Sequence, residues 1–305
     1  MECGRWLLGI DIQPHQLIAV ALVRRRDGDQ LRGWWHFPLR GEATPTRFPA
    51  DLVRRRDGDQ LRGWWRFPLR GEATPTRLPA DLPQALSALR ARLPRRLSVR
   101  TAFPVEQAIC HTLPGTPPAL TPLQQQTWLR AQSERRLMLP ASELACDFTR
   151  LADSTGSWQV CAIRRAQRDA WCVLFAQAGL VLRRLTLLPC ALRTLARLVG
   201  EAPTVPLIHG DGQRFCWIAP WGQPLQYGCI PCEAGLAAAS AAWEAAAPSG
   251  EESPPPLLCG HGCGQTGWDP FSLLRHRSAP LPREPAQCCV ALGLALMAET
   301  PQWTI

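Results

Sequence analysis

The sequence predicts a duplicated α/β fold in two lobes, and three observations predict it. Strand and helix patterns alternate along both halves of the chain, the order that lays helices against sheets. Each half opens on a strand followed by a hairpin: Leu8–Ile12 leads into one near the N-terminus, and Pro206–His209 leads into another past the middle. The length of 305 residues, 46% of them hydrophobic, supplies core enough for two lobes. The N-terminal lobe is drawn at 1–200, with an inserted subdomain at about 104–165, and the C-terminal lobe at 201–305.

In order along the chain, the apolar run after Trp6 holds Asp11 and reads as a strand. Ile18–Val23 is a second strand, Asp27-Gly28 a turn, and Leu31–Leu39 a third strand carrying Trp34 and Trp35. Residues Leu22–Asp51 then recur as Leu52–Asp81, changed only at His36 versus Arg66 and Phe48 versus Leu78. Two copies fall short of the roughly three that a stacked repeat core needs. The tandem is therefore read as a recent in-frame duplication or a gene-model error, not an array. Only the first copy follows the full apolar strand Ile18–Leu22, so it is expected to form the hairpin. The second, with Trp64 and Trp65, is expected to emerge as an insertion, which costs little loop entropy.

Beyond the tandem, Leu82, Leu86, Leu89 and Leu93 line one helix face. Leu97, Val99, Thr101 and Phe103 alternate as a strand that Pro104 ends. Thr121-Pro122 with Gln124 gives a capping box and a proline at the first helical position, and that helix stops before Pro140. Trp158–Ile163 is a strand, Ala166–Ala178 a helix stopped by Gly179, Val181–Leu187 a strand, and Pro189–Leu198 a helix ending near Gly200. The second hairpin runs from Phe215–Ala219 to Leu225–Cys229 through Pro220-Trp221-Gly222. Glu233–Ala246 is an Ala-rich helix, Pro248–Pro256 a polar connection, Leu257–Cys259 a strand before a glycine-rich segment, and Cys288–Ala298 a closing apolar helix.

No stretch approaches the roughly 18 uninterrupted apolar residues of a membrane span, and Met1–Trp6 lacks a signal core. A cytoplasmic protein with free buried thiols is expected from this, despite 13 cysteines. All 34 basic residues are arginine, a pattern of GC-rich coding. The second copy carries seven arginines and four acids, so without it the formal charge falls from +9 to +6. Arg24–Arg26 and Arg54–Arg56 are one feature counted twice, each before Asp-Gly at a turn. Direct nucleic-acid binding is not expected; that rival reading would require a strongly salt-dependent affinity.

A strand reading Leu8-Gly9-Ile10-Asp11-Ile12 before a hairpin resembles the start of actin-like (ribonuclease H-like, duplicated) ATPase folds. Further segments narrow the likeness: Trp34-Trp35-His36-Phe37-Pro38-Leu39, Thr101-Ala102-Phe103-Pro104, Gln126-Thr127-Trp128-Leu129 with Glu134, Ala178-Gly179-Leu180, Gly267-Trp268-Asp269-Pro270-Phe271 and Val290–Leu296. In this order they resemble the PilM family of pilus assembly proteins, in its HofM-like branch. The resemblance implies a cytoplasmic, non-enzymatic scaffold at the inner-membrane face. It would bind the cytoplasmic N-terminal tail of a PilN-like membrane protein within the pilus alignment complex or a DNA-uptake machine. No motif pins the tail-binding residues.

Active actin-like folds follow the first Asp with Gly and Ser or Thr, whose amides and hydroxyl hold phosphate. Here Gln13, Pro14 and His15 follow Asp11-Ile12, and Pro14 removes an amide donor. The second phosphate hairpin aligns with Ile208-His209-Gly210 and lacks its acid, although Asp211-Gly212 lies beside it. The third segment, Gly260-His261-Gly262-Cys263-Gly264, is best preserved. Asp11, Gly210, Gly260, Gly262 and Gly264 are thus the candidate remnants of a nucleotide site. No catalytic or metal residue is assigned and no cofactor expected, with Mg–ATP the one candidate and an ATP-dependent switch the alternative function. Cys229-x-x-Cys232 with Cys259-x-x-x-Cys263, aided by His209 or His261, has tolerable spacing for zinc. Structural thiols are the preferred reading of those cysteines, and no Walker, Gly-x-Ser-x-Gly or His-Glu-x-x-His motif occurs.

Overall fold

The computed structural model describes residues 5–25, 28–39, 79–117, 119–151, 155–201, 205–220, 225–246, 254–262, 268–277 and 281–298. The first half comprises β1 (Arg5–Gln13), β2 (Gln16–Arg25), β3 (Gly28–Pro38), α1 (Leu82–Arg90), β4 (Ser98–Phe103), β5 (Ile109–Leu113) and α2 (Pro122–Leu137). It continues through β6 (Leu144–Arg150), β7 (Trp158–Arg164), α3 (Arg165–Gln177), β8 (Leu182–Leu187) and α4 (Leu188–Val199). The second half comprises β9 (Leu207–Gly210), β10 (Arg214–Ile218), β11 (Tyr227–Pro231), α5 (Gly235–Ala246), β12 (Leu257–Gly260) and α6 (Cys289–Leu296).

Two sheets repeat one strand order. The first runs β3-β2-β1-β4-β8 and the second β11-β10-β9-β12. In each, an antiparallel meander is joined on its far side by a parallel strand, β4 against β1 and β12 against β9. This repetition of one topology is the duplicated ribonuclease H-like arrangement of the actin-like fold. The first hairpin takes β3 and the end of β2 from Leu22 on from the first copy of the tandem, while Ala19 and Val20, which precede that copy, lie opposite Trp35 and Trp34. The second copy, with Trp64 and Trp65, the turn at Pro220-Trp221-Gly222 and Asp27 all fall wholly or largely outside the described residues.

β4 differs from its expected alternation: all six residues are buried. It is a central strand between β1 and β8, so both faces are covered and the pattern is continuous, not period two. Arg100 within it is only 2% exposed and donates to the carbonyl oxygens of Leu294 and Ala295 at the end of α6. Those carbonyls lack partners within a helix, and the guanidinium supplies one. The closing helix is shorter than expected at both ends: Cys288 belongs to a 3-10 turn over Pro285–Cys288, and the chain leaves the helix at Met297, where ψ is 144°. All eight residues of α6 are buried.

A third sheet, β5-β7-β6, stands between β4 and α3 in sequence. Its strands β5 and β6 were absent from the expected elements, since Ile-Cys-His-Thr-Leu and Leu-Ala-Cys-Asp-Phe-Thr-Arg offer neither a β-branched run nor a clean alternation. α2 covers this sheet and begins as read, with the Thr121 hydroxyl accepting from the Gln124 amide and the Gln124 side chain accepting from the Thr121 amide. Among the described residues no helix is long and apolar enough to cross a membrane.

Candidate functional site

Three chain reversals meet where the two repeated sheets face each other: the β1–β2 turn, the β9–β10 turn and the end of β12. Asp11, Gly210, Gly260 and Gly262 come together there, while Gly264 and Cys263 lie outside the described residues.

Asp11 is 2% exposed near the end of β1. Its Oδ2 accepts a 2.7 Å hydrogen bond from Gln13 Nε2, and Gln13 Oε1 accepts in turn from Gln16 Nε2. Burial raises the Asp11 carboxyl to about 6, against the opposing influence of His209 and the Gln13 amide. Gln13 thus points its side-chain donor at the carboxylate from within the β1–β2 turn.

Asp211 occupies the β9–β10 turn itself. Its Oδ1 accepts from the amides of Gln213 and Arg214 at 2.9 and 2.7 Å, and its Oδ2 accepts from the Arg214 guanidinium. Arg214 also pairs with Glu106, from the segment after β4, at 2.6 Å. Burial works against the Arg214 charge, but Glu106 and Asp211 more than offset it and hold the guanidinium protonated. Gln213 Nε2 meets His15 Nε2 at 2.9 Å, so the two turns touch through side chains of the chain itself.

Beneath them His209 is buried, with Nδ1 3.6 Å from Cys259 Sγ. Burial disfavours its charge, but the Cys259 contact and the carboxylates of Asp11 and Asp211 outweigh that and raise its affinity for a proton. The Cys259 thiol is held below its usual range by hydrogen bonding from Cys289 and His209.

The glycines of the third segment answer to close backbone approach. A Cβ on Gly260, where φ is +86°, would lie 2.1 Å from the Gly210 carbonyl oxygen. A Cβ on Gly210 would lie 2.0 Å from that of His261. The His261 amide donates to the Gly210 carbonyl at 2.8 Å. These contacts account for Gly210 and Gly260 without a phosphate.

The space left between the turns is a cavity of about 60 Å³, lined by Asp11, Phe103, Glu106, His209, Asp211 and Arg214 among others. Sites for molecules of nucleotide size run to several hundred Å³. The β1–β2 turn offers Pro14 instead of an amide, and the Asp211 oxygens are taken up by the chain itself. Among the described residues, those lining this cavity do not fit a magnesium nucleotide.

The cysteines considered for zinc are dispersed. Cys229 lies directly opposite Cys216 across β11 and β10, Cys232 opens a 3-10 turn, and Cys259 sits with His209 and Cys289. Among the described residues no three His, Cys, Asp or Glu side chains are grouped to hold a metal.

Sequence reasoning missed the Arg214–Glu106 pair and the Gln213–His15 contact, both of which depend on residues brought together from distant segments. It also missed a groove of about 100 Å³ beside β6, lined by Arg130 of α2, Ala141, Leu144, Ala145 and Cys146, and Arg165 and Arg168 of α3. Arg165 fixes one wall by donating to the carbonyls of Ser142 and Leu144 at 2.7 and 3.0 Å. β6 is an outer strand of its sheet among the described strands.

No family model matches the chain. The DNA utilization protein HofM of Escherichia coli K12 is 25% identical over 295 residues, covering 95% of this chain and 96% of HofM. Among solved structures, the PilM–PilN type IV pilus biogenesis complex includes a chain matched with a TM-score of 0.62 and 19% identity, covering 95% of this chain and 97% of that one. The cytoplasmic domain of EpsL, an inner-membrane component of the Vibrio cholerae type II secretion system, matches with a TM-score of 0.51 and 11% identity, covering 94% of each chain. In sequence the chain is similar to HofM along nearly its whole length, and in architecture it shares the actin-like fold of the chain matched in the PilM–PilN complex.

Proposed function

We propose that the chain is a non-enzymatic scaffold of a type IV pilus-like or DNA-uptake assembly, working at the cytoplasmic face of the inner membrane by binding the tail of a PilN-like protein. The observation that carries this reading is the closure of the cleft by the chain's own side chains, within a fold retained over nearly its whole length. Gln13 is turned onto Asp11, and Arg214 bridges Asp211 and Glu106. A switch protein would need that space for its nucleotide.

The groove beside β6 is the seat assigned to the tail. An outer strand offers backbone groups to an extended peptide, and Leu144 and Ala145 offer apolar contact. Arg130 at its rim favours an acidic residue in the segment that docks, whereas Arg168 is already paired with Asp169. Isothermal titration with Mg–ATP is expected to give no binding heat at micromolar protein. Submicromolar binding would overturn the non-enzymatic reading in favour of an ATP-dependent switch.

A further inference from the structure

Cys110 on β5 and Cys161 on β7 lie directly opposite each other in the antiparallel register. Their sulfurs are 2.8 Å apart, and both are free thiols. Directly opposed residues of an antiparallel pair have Cα atoms about 4.5–5.5 Å apart, which lies within the range a disulfide spans. Less than 1 Å of sulfur movement separates this arrangement from the roughly 2.05 Å of an S–S bond. The two thiols differ in access: Cys110 is half-buried on an outer strand, while Cys161 is 1% exposed.

The pair also stands at a junction. The Tyr227 hydroxyl on β11, 3.5 Å from the Val105 carbonyl oxygen, donates to Cys110 Sγ at 3.6 Å. Next to it the Gln159 side chain both donates to and accepts from the backbone of Leu225. The strand carrying Cys110 therefore links the inserted sheet to the sheet of the second half.

We propose that Cys110 and Cys161 form a redox-active dithiol that closes to a cross-strand disulfide when a low-molecular-weight disulfide is available as oxidant. Cys110, the accessible member, loses its proton to solvent and attacks one sulfur of the small disulfide, expelling the first small thiolate. Cys161 then gives up its proton and attacks the Cys110 sulfur of the mixed disulfide, expelling the second. Two protein thiols lose two hydrogens, and the small disulfide is reduced to two thiols. The Cys161 thiol is held well above its usual range by its hydrogen bond with Cys110 and by burial. It therefore suits the resolving role and not the attacking one.

The test uses the full chain. Trypsin releases Cys110 in the peptide 101–130 and Cys161 in 151–164, each holding a single cysteine. After equilibration with oxidised glutathione and trapping by iodoacetamide, mass spectrometry is expected to find these two peptides joined, with the loss of two hydrogens, and to find them separate after reduction. Cys161→Ser is expected to accumulate a glutathione adduct on Cys110, and Cys110→Ser to give neither the joined peptide nor an adduct on Cys161. Oxidised wild-type chain should also melt at a higher temperature than reduced chain, because the bond closes a long loop. Separate, fully alkylated peptides from the folded wild-type chain under strong oxidant would overturn the proposal. An adduct on Cys161 in Cys110→Ser would overturn the assigned order of attack.

Discussion

Replacing Gly9 with alanine is expected to abolish cooperative folding or to cost at least about 4 kcal/mol of stability. A Cβ at this position would lie 1.9 Å from the Ala291 carbonyl oxygen and 2.8 Å from the Ala295 amide nitrogen. Both are backbone atoms of α6, which is buried on every side and cannot retreat. On its far face Gly293 allows the same closeness, since a Cβ there would lie 2.3 Å from the Ala191 carbonyl oxygen of α4. The strand that opens the fold, the helix that closes the chain and the helix between the halves are thus stacked at backbone contact. Urea unfolding followed by circular dichroism checks this, with Gly200→Ala as a control. Gly200 has φ +86°, but a Cβ there would meet nothing within 4 Å, so only the conformational cost of about 1 kcal/mol applies. A Gly9→Ala chain that unfolds at the wild-type midpoint would contradict this account of the core.

The second large effect has the opposite sign. Asp11→Asn is expected to stabilise the protein by about 2–3 kcal/mol at pH 8 and to leave it unchanged near pH 4. The folded carboxyl titrates at about 6 against an ordinary 3.8, so the folded state holds its proton more tightly than the unfolded chain. Between these values the folded state binds more protons, and wild-type stability falls as pH rises. The contribution is fully present below the unfolded pKa and is lost once pH passes the folded one. Asparagine keeps the shape and a partner for Gln13 without the buried charge. Denaturant midpoints of both chains across pH 4–8 measure it. Destabilisation of Asp11→Asn at pH 8 would mean that His209 or a bound cation holds the carboxylate charged, and the cleft would have to be read as functional.

Much of the fold was legible because its strongest signals are local. The capping box at Thr121, the Gly179 and Gly200 stops and the two hairpins need no knowledge of distant contacts. The missed strands β5 and β6 gain their strand character from β7, which lies between them, and not from their own residues. Arg100 and β4 show the same limit, since a buried arginine inside a strand makes sense only when the end of α6 is placed over it. At the site, the missing amide of Pro14 can be read from the sequence alone. The roles of Asp211 and Arg214 cannot, because their arrangement depends on Glu106, more than a hundred residues earlier in the chain. Gly210 and Gly260 were read as phosphate-loop remnants, and in the structure each makes room for the backbone of a neighbouring segment.

In the proposed role the chain binds a peptide tail without help from a nucleotide. Fluorescence anisotropy with the labelled N-terminal cytoplasmic peptide of a PilN-like protein tests it most directly, with and without Mg–ATP, against the wild-type chain and Arg130→Glu. Saturable binding is expected, indifferent to Mg–ATP and weakened at least tenfold by Arg130→Glu in the groove beside β6. No binding under either condition, or binding that appears only with Mg–ATP, would contradict it.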